Sequence, residues 1–594
     1  MSKTAEDTAP MNSLQVILKT LRPIFKKLWP FFALLVLITI GVMLLELAPP
    51  ILLREIVDHH LKNRVLQGIW TIATLYLAAS IASSIVGFAK TLVTSYLGQN
   101  ILLELRVQLS AHLTKLSIHY FSRTPVGEIM SRFTSDVDAV DSLFSSGLVN
   151  AFTDLLKVFG IVWAMYYISP KLCLWVLVVL PFIYLLTNYF RKNIFKAQVG
   201  VRKNVGQINI FIQEAFSGIG IIKAYHQERR FEESFQKPLQ DHFGSLSRIA
   251  IFNGYFPCIM QVLRAITIAV IIWLGAKTGL PGTAGITIGS LAAMADLIGR
   301  LFNPIDSLAQ EFQTIQQATA GLRRIGEFFS EKPEPRGEMQ IVPPTLDSRL
   351  MNIEIKAVEF GYAPEKTIIK GVSMSIPFGS KIAIVGRTGA GKTTLLNLIA
   401  GLYTPAAGSI TIGGFDPHRV DPAGRRSMLG IVPQNIHIFE GTIRENITLR
   451  DSTISEAAIV TAAKLVGLDD FINSLPEKYE TPLGDTQAKL SFGQNQLLSM
   501  ARAIVADPPL LLLDEPTSGM DAITEAKIFD AFRSISRQRT IITISHRLSG
   551  ILEADEVYIM AAGKIVQSGS PQKLTAEQGW YSVFKQLEDL EWEN

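Results

Sequence analysis

Residues 66–89 contain no charged side chain, and neither do residues 172–190. A helix crosses the hydrocarbon core of a bilayer with about 20 mostly apolar residues, and a soluble domain has few places to bury such a rod on all sides. Residues 28–45 and 278–295 are also uncharged, and each run continues beyond one charged residue. Two weaker stretches complete the set: about 148–168, interrupted by Asp154 and Lys157, and about 249–276, interrupted by Arg264. The pattern predicts an all-α membrane domain of six spanning helices within residues 1–329. The chain is polar up to about Lys27, and no short apolar core with a small-residue cleavage site sits at its start, so no cleavable signal is expected.

The connections between spans are unequal. Those after the first, third and fifth are short, at 54–65, 169–171 and 277–286, whereas those after the second and fourth are long and charged. Lys19, Arg22, Lys26 and Lys27 flank the first span, so the positive-inside rule puts both termini and the long connections in the cytoplasm. Residues 14–26 alternate apolar and basic positions, as an interfacial helix does. The long connections read as helical extensions of the spans: one at 119–137 with a Pro-Val-Gly turn at Pro125, the other at 213–225.

Each charge inside a span costs about 2.5–3.5 kcal/mol on insertion scales, which turns it toward protein or water. Asp154 and Lys157 stand one helical turn apart, as do Asp296 and Arg300, so each pair is expected to neutralise itself. Glu46 and Arg264 have no local partner. Two readings stay open: a wet cavity that touches a polar or amphipathic cargo, and plain pairing between helices. Cys173 and Cys258 are the two cysteines; both sit in apolar segments, with no disulfide framework or zinc spacing, and read as small buried residues. A net charge of +4 on 594 residues supplies no clustered basic face, so no nucleic-acid partner is expected.

Residues 330–350 are rich in proline and charge and mark a linker. From 351 to 594 short strand and helix patterns alternate, as in an α/β domain. Gly386-Arg-Thr-Gly-Ala-Gly-Lys-Thr393 has the spacing of a P-loop, follows the strand pattern 381–385 and precedes the helical run 394–400. Gly386, Gly389 and Gly391, with Arg387, Thr388 and Ala390 between them, let backbone N–H groups close around phosphate, and the helix N-terminus adds positive potential. Lys392 is expected at the β- and γ-phosphates of ATP and the Thr393 hydroxyl at Mg2+, with Thr394 next to it. Leu510-Leu-Leu-Leu-Asp-Glu515 reads as a buried strand ending in two carboxylates, at the end of an open sheet where ligands bind. Asp514 is expected to hold magnesium, largely through water, and Glu515 to act as base or orienter for the attacking water.

With these residues in order, the chain resembles the ABC ATPases. Leu490-Ser-Phe-Gly-Gln494 is similar to the family signature, and 496–503 continues it as a helix. The resemblance implies that Ser491, Gly493 and Gln494 cap the γ-phosphate bound on a partner subunit. It further implies that Tyr362 stacks on adenine and that Gln434 meets magnesium and the attacking water. Asp521, in Ser518-Gly-Met-Asp521, belongs to a loop crossing to the other site, and His546 contacts the γ-phosphate. The stretches at 127–136 and 214–224 are similar to exporter-type coupling loops. Together the match covers nearly the whole chain and identifies an exporter-type (type IV) half-transporter, expected in a bacterial inner membrane with its nucleotide domain cytoplasmic. Its partners are then a second half-transporter, as homodimer or heterodimer, the lipid bilayer and a small-molecule cargo. Phe492, Leu497, Asp485 and the Gly-Met of the crossing loop depart from the family pattern, but none removes a phosphate-contacting group. The expected activity is ATP-driven export by alternating access; the alternatives are import of a metal-chelating small molecule on the same fold, and a non-transporting ATP-switched regulator.

Overall fold

The computed structural model describes residues 9–61, 68–278, 287–334, 351–363, 365–484, 490–516, 522–536, 539–545, 554–577 and 579–582. Asp485, the 518–521 loop with Asp521, His546 and most of the expected linker lie outside them. The chain divides into two compact units, one of residues 1–114 and 125–332, the other of 115–124 and 333–594.

The first unit is built from six long helices: α1 (Ala9–Glu55), α2 (Ile69–Leu113), α3 (Leu148–Ile168), α4 (Pro170–Ser217), α5 (Glu228–Thr278) and α6 (Ile288–Ser330). α4 has 48 residues and α5 has 51, so at about 1.5 Å per residue both far outrun a bilayer core. α3 is shorter, but Val126–Phe133, Ser135–Ser142 and a π-turn at Leu143–Gly147 lead into it. The long connections are helical extensions, as the sequence suggested. Among the described residues five helices are long and apolar enough to cross a membrane: Arg22–Leu61, Ile69–Leu113, Val126–Ile168, Pro170–Ser217 and Glu228–Gly275. The sixth, α6, follows residues 279–286, which are not described.

Local chemistry sets the helix boundaries. Ser169 breaks α3 in an extended conformation, and Pro170, whose missing N–H costs nothing in a first turn, starts α4. Thr287 opens α6 with a capping box closed by Ser290. The Asp58 carboxylate accepts from the Gly289 N–H at 2.9 Å and from the Thr287 hydroxyl, which joins the end of α1 to the start of α6. Met165, Leu172, Ile183, Ile271, Met294 and Leu297 are fully buried where α3 to α6 pack.

The charged residues pair differently from the local expectation. Asp296 and Arg300 do neutralise one another, at 3.0 Å. Lys157 makes no ion pair with Asp154 and binds Glu46 of α1 at 2.9 Å. Asp154 and Ser307 of α6 line the same cavity. Adjacent helices present closer partners than the next turn of the same helix does. Arg264 is exposed and makes no ion pair among the described residues. Cys173 is buried as expected, but Cys258 is exposed.

In the second unit, a three-stranded antiparallel sheet of β1 (Ile353–Phe360), β2 (Ile369–Ile376) and β4 (Ala407–Ile412) has the order β2-β1-β4. A six-stranded sheet combines β3 (Lys381–Val385), β5 (Leu429–Val432), β6 (Leu510–Asp514), β7 (Thr540–Ile544), β8 (Glu556–Ala561) and β9 (Lys564–Gly569). Its order is β9-β8-β3-β7-β6-β5, parallel throughout except for the edge strand β9. β6 reads Leu-Leu-Leu-Leu-Asp and is buried at all five positions, as a strand covered on both faces demands.

Candidate functional site

Because β3, β5, β6 and β7 are parallel, their C-terminal ends reach the same edge of the sheet. β3 delivers the P-loop, β6 delivers Asp514 and Glu515, and β5 is followed two residues on by Gln434. The P-loop continues into α7 (Lys392–Ile399), preceded by Gly391 in the left-handed region at φ 102°. A Cβ on Gly391 would press on the Ile369 side chain at 2.9 Å, and one on Gly386 would meet the Met560 carbonyl at 2.2 Å. A Cβ on Gly389 would meet nothing within 4 Å. The loop is therefore packed from behind and open in front, where Arg387, Thr388 and Gly389 are exposed. The Ala390 N–H is engaged by the Arg387 carbonyl at 3.0 Å, which leaves the exposed turn before it to receive phosphate.

Lys392 is 5% exposed, and its ammonium donates to the carbonyls of Gly386 at 2.7 Å and Arg387 at 3.3 Å. Burial lowers its pKa, while Glu515 and Asp514 pull it back up. Among the described residues the ammonium makes no ion pair, so its charge is available to a phosphate. Thr393 donates its hydroxyl to Asp514 at 3.3 Å, and Asp514 is buried. Gln434 donates its amide to the Glu515 carboxylate at 2.6 Å. Glu515 has φ 48°, a left-handed conformation that costs a non-glycine residue about 1–2 kcal/mol. Its N–H is held by the Ile544 carbonyl at 3.1 Å. That turn lifts the side chain out of the alternation of the strand at the point where Gln434 meets it.

The remaining candidates are not all gathered here. Tyr362 is half-buried, packs edge-on against Phe360 and Tyr403, and its hydroxyl lies 3.3 Å from that of Thr394. Tyr403 also lies beside Ser122, in the short helix Ile118–Arg123 that belongs to this unit. A chain of contacts thus runs from residue 122 through two tyrosines to the P-loop helix. Ser491 caps α8 (Phe492–Ile504), accepting from the Gln494 N–H at 3.2 Å while Gln494 accepts from the Ser491 N–H at 2.8 Å. Ser491 and Phe492 are exposed and Gly493 is buried; Leu497 packs into the core under the helix.

Two contacts that the sequence does not foretell also shape the site. Arg502, on α8, donates to the carbonyls of Asn446 at 2.8 Å and His437 at 3.1 Å, which ties the signature helix to the segment that follows Gln434. Its place in the Met-Ala-Arg-Ala run was the available signal. Arg387 lies over the ring of Trp580, 5.9 Å from the centroid, a contact no local pattern announces.

A helical membrane unit fused to an ATPase with these strand-end groups defines an ATP-driven membrane translocator. Residues 32–305 match the ABC transporter transmembrane region, and residues 369–518 match the ABC transporter family. The ABC transporter ATP-binding protein YknV of Bacillus subtilis is 33% identical, over 96% of this chain and 94% of that protein. An ATP-dependent lipid A-core flippase of Desulfotalea psychrophila is 30% identical, over 90% of this chain and 93% of that one. A solved structure of a bacterial Atm1-family ABC exporter with ATP bound is similar at a TM-score of 0.77 and 25% identity, covering 94% of this chain and 98% of that one. The chain belongs to the ABC transporter family. It is a membrane-spanning, ATP-binding transporter of exporter type, with an ATPase coupled to translocation.

Proposed function

We propose that the chain is one half of a dimeric exporter that moves a small or amphipathic molecule across a bacterial inner membrane by alternating access. The observation that carries this reading is the Gln434–Glu515 contact of 2.6 Å on the sheet edge that also holds the P-loop. In this reading Glu515 takes or orients the proton of the attacking water, and Gln434 fixes the carboxylate and reports its state. Lys392 and the amides of Gly386–Lys392 hold the phosphates, and Tyr362 meets the adenine. Asp521 and His546 keep their expected roles at the opposite site and at the γ-phosphate.

The electrostatics argue for a cation with the nucleotide. Asp514 and Glu515 set two carboxylates within electrostatic reach of Lys392, at the strand end where a polyphosphate would enter. Thr393, Asp514 and Gln434 are the groups that would hold Mg2+, which when bound neutralises phosphate oxygens as charge shifts between them. Ser491 supports dimerisation. Its capping bonds are satisfied within α8, and the exposed N-terminus of that helix offers positive potential to an anion brought by another protomer. Two nucleotides enclosed at such a seam would draw the ATPase units together and reset the membrane helices.

Glu515→Gln tests the reading. ATP binding should persist while steady-state hydrolysis falls by about 10²-fold or more, the scale of a lost general base. Normal turnover in that variant would refute the role given to Glu515.

A further inference from the structure

Between α1, α3 and α6 the membrane unit contains a cavity of about 310 Å3. Four charged side chains reach it: Glu46, Asp154, Lys157 and Arg300. Three are already committed. Lys157 and Glu46 bind one another at 2.9 Å; Arg300 binds Asp296 at 3.0 Å and the Glu46 carbonyl at 3.2 Å. Asp154 has no cation within ion-pair distance among the described residues, and Ser307 lines the cavity with it. Met43, Leu47 and Ile161 give the cavity an apolar wall.

A second carboxylate stands nearby. Glu311 is 8% exposed, and its Oε2 has no hydrogen-bond partner. Asp296, Arg300, Ser307 and Glu311 recur at helical spacing on one side of α6, so the polar groups form a stripe. Among the described residues Lys90 of α2 is the one cation in electrostatic reach of both Asp154 and Glu311, and it donates to Thr153 at 3.0 Å. The stripe and its neighbours thus set the carboxylates of Glu46, Asp154, Asp296 and Glu311 against the cations of Lys90, Lys157 and Arg300. With all seven ionised, one negative charge is left over, in surroundings where an unneutralised ion is costly.

We infer that this cavity receives the positive end of an organic cation, an amine or quaternary ammonium carrying an apolar group, with Asp154 as its counter-ion. The apolar group would rest on Met43, Leu47 and Ile161. This rests on the export reading and names its cargo class.

The test uses the full chain in lipid nanodiscs and three small probes of similar shape: benzyltrimethylammonium, its neutral carbon isostere neopentylbenzene, and benzenesulfonate. Equilibrium binding should favour the ammonium over both others. Asp154→Asn should weaken it by roughly tenfold or more, the loss of one close charge pair in a partly screened site, and Asp154→Glu should retain most of it. Equal binding of the neutral isostere, preference for the sulfonate, or full ammonium binding by Asp154→Asn overturns the inference. The last result would mean that the excess charge is met by a proton. The probe comparison on the unaltered protein decides the matter even where Asp154→Asn fails to fold. Should inverted vesicles take up the sulfonate with ATP and exclude the ammonium, the cation class falls while ATP-driven transport stands. Failure of the transport reading itself would appear in the Glu515→Gln assay.

Discussion

In the ATPase unit, Lys392 binds carbonyls five and six residues away, and Asp514 and Glu515 are neighbours at one strand end. In the membrane unit, Lys157 finds Glu46 across 111 residues, and Asp136 finds Arg324 across 188. Both units bury charge, but they solve the cost by different routes. Parallel strands carry short polar segments to a common edge, so a contiguous motif arrives already assembled. Long helices carry single charges, and beyond i, i+4 pairs such as Asp296–Arg300 packing decides which two meet.

The deepest charge in the membrane unit offers the sharpest test of that contrast. Asp136 is 1% exposed and is held by Arg132 at 3.1 Å and by both Nε, at 2.9 Å, and Nη2 of Arg324. Asp136→Asn keeps the shape and leaves two guanidinium groups facing an amide. Breaking a buried pair from one side costs about 3–5 kcal/mol, so the membrane unit should melt well below the unaltered protein. Scanning calorimetry of the detergent-solubilised chain measures this. An unchanged melting profile would mean that packing, rather than this charge, fixes the junction of Ser135–Ser142 with α6.

Next in size is the lysine of the P-loop. Lys392→Ala should weaken ATP binding by about 10- to 100-fold, the equivalent of one charge-assisted hydrogen bond of about 1.5–3 kcal/mol. Titration with a fluorescent ATP analogue reads it. A smaller loss would shift the weight of phosphate binding to the backbone amides. Smaller again is Tyr362→Leu, where losing an aromatic face should cost about 0.5–1.5 kcal/mol of nucleotide affinity, with Tyr362→Trp retaining it. Equal affinity in the leucine variant would confine Tyr362 to packing against Phe360 and Tyr403.

The same division explains what the sequence disclosed. The P-loop, the Asp-Glu strand end and the signature were readable because each is a contiguous segment with one physical job, and parallel strand order then fixes where Gln434 arrives. The long helices were readable from uncharged runs and from amphipathic extensions such as Val126–Phe133. Lys157 was misassigned because i, i+3 spacing shows which side chains share a helix face, and says nothing about what the neighbouring helix brings to that face; Glu46, which has no local partner, arrives from α1. Asp154 was given a partner in Lys157 for the same reason. Cys258 was expected to be buried because an apolar run does not say which of its sides meets lipid. Arg324 and Glu311 carry no signal in the sequence because a charge far along a long helix is ordinarily a solvated one.

The smallest effect is also the most direct measure of pairing by packing. Glu46 and Lys157 are partly open, with side-chain exposures of 33% and 24%, so their attraction is screened and offset by the entropy of holding two long side chains. Single substitutions would mix this term with desolvation and with the bond from Arg300 to the Glu46 carbonyl. A double-mutant cycle of Glu46→Gln and Lys157→Met removes those shared costs. The coupling energy should fall at about 0.5–1 kcal/mol, the upper part of the range for exposed pairs. Asp154→Asn combined with Lys157→Met should give a coupling nearer zero, because those two side chains turn to different helices. If the second cycle gave the larger coupling, local spacing would prevail over tertiary packing in this membrane unit, and the charge left on Asp154 would already have its partner.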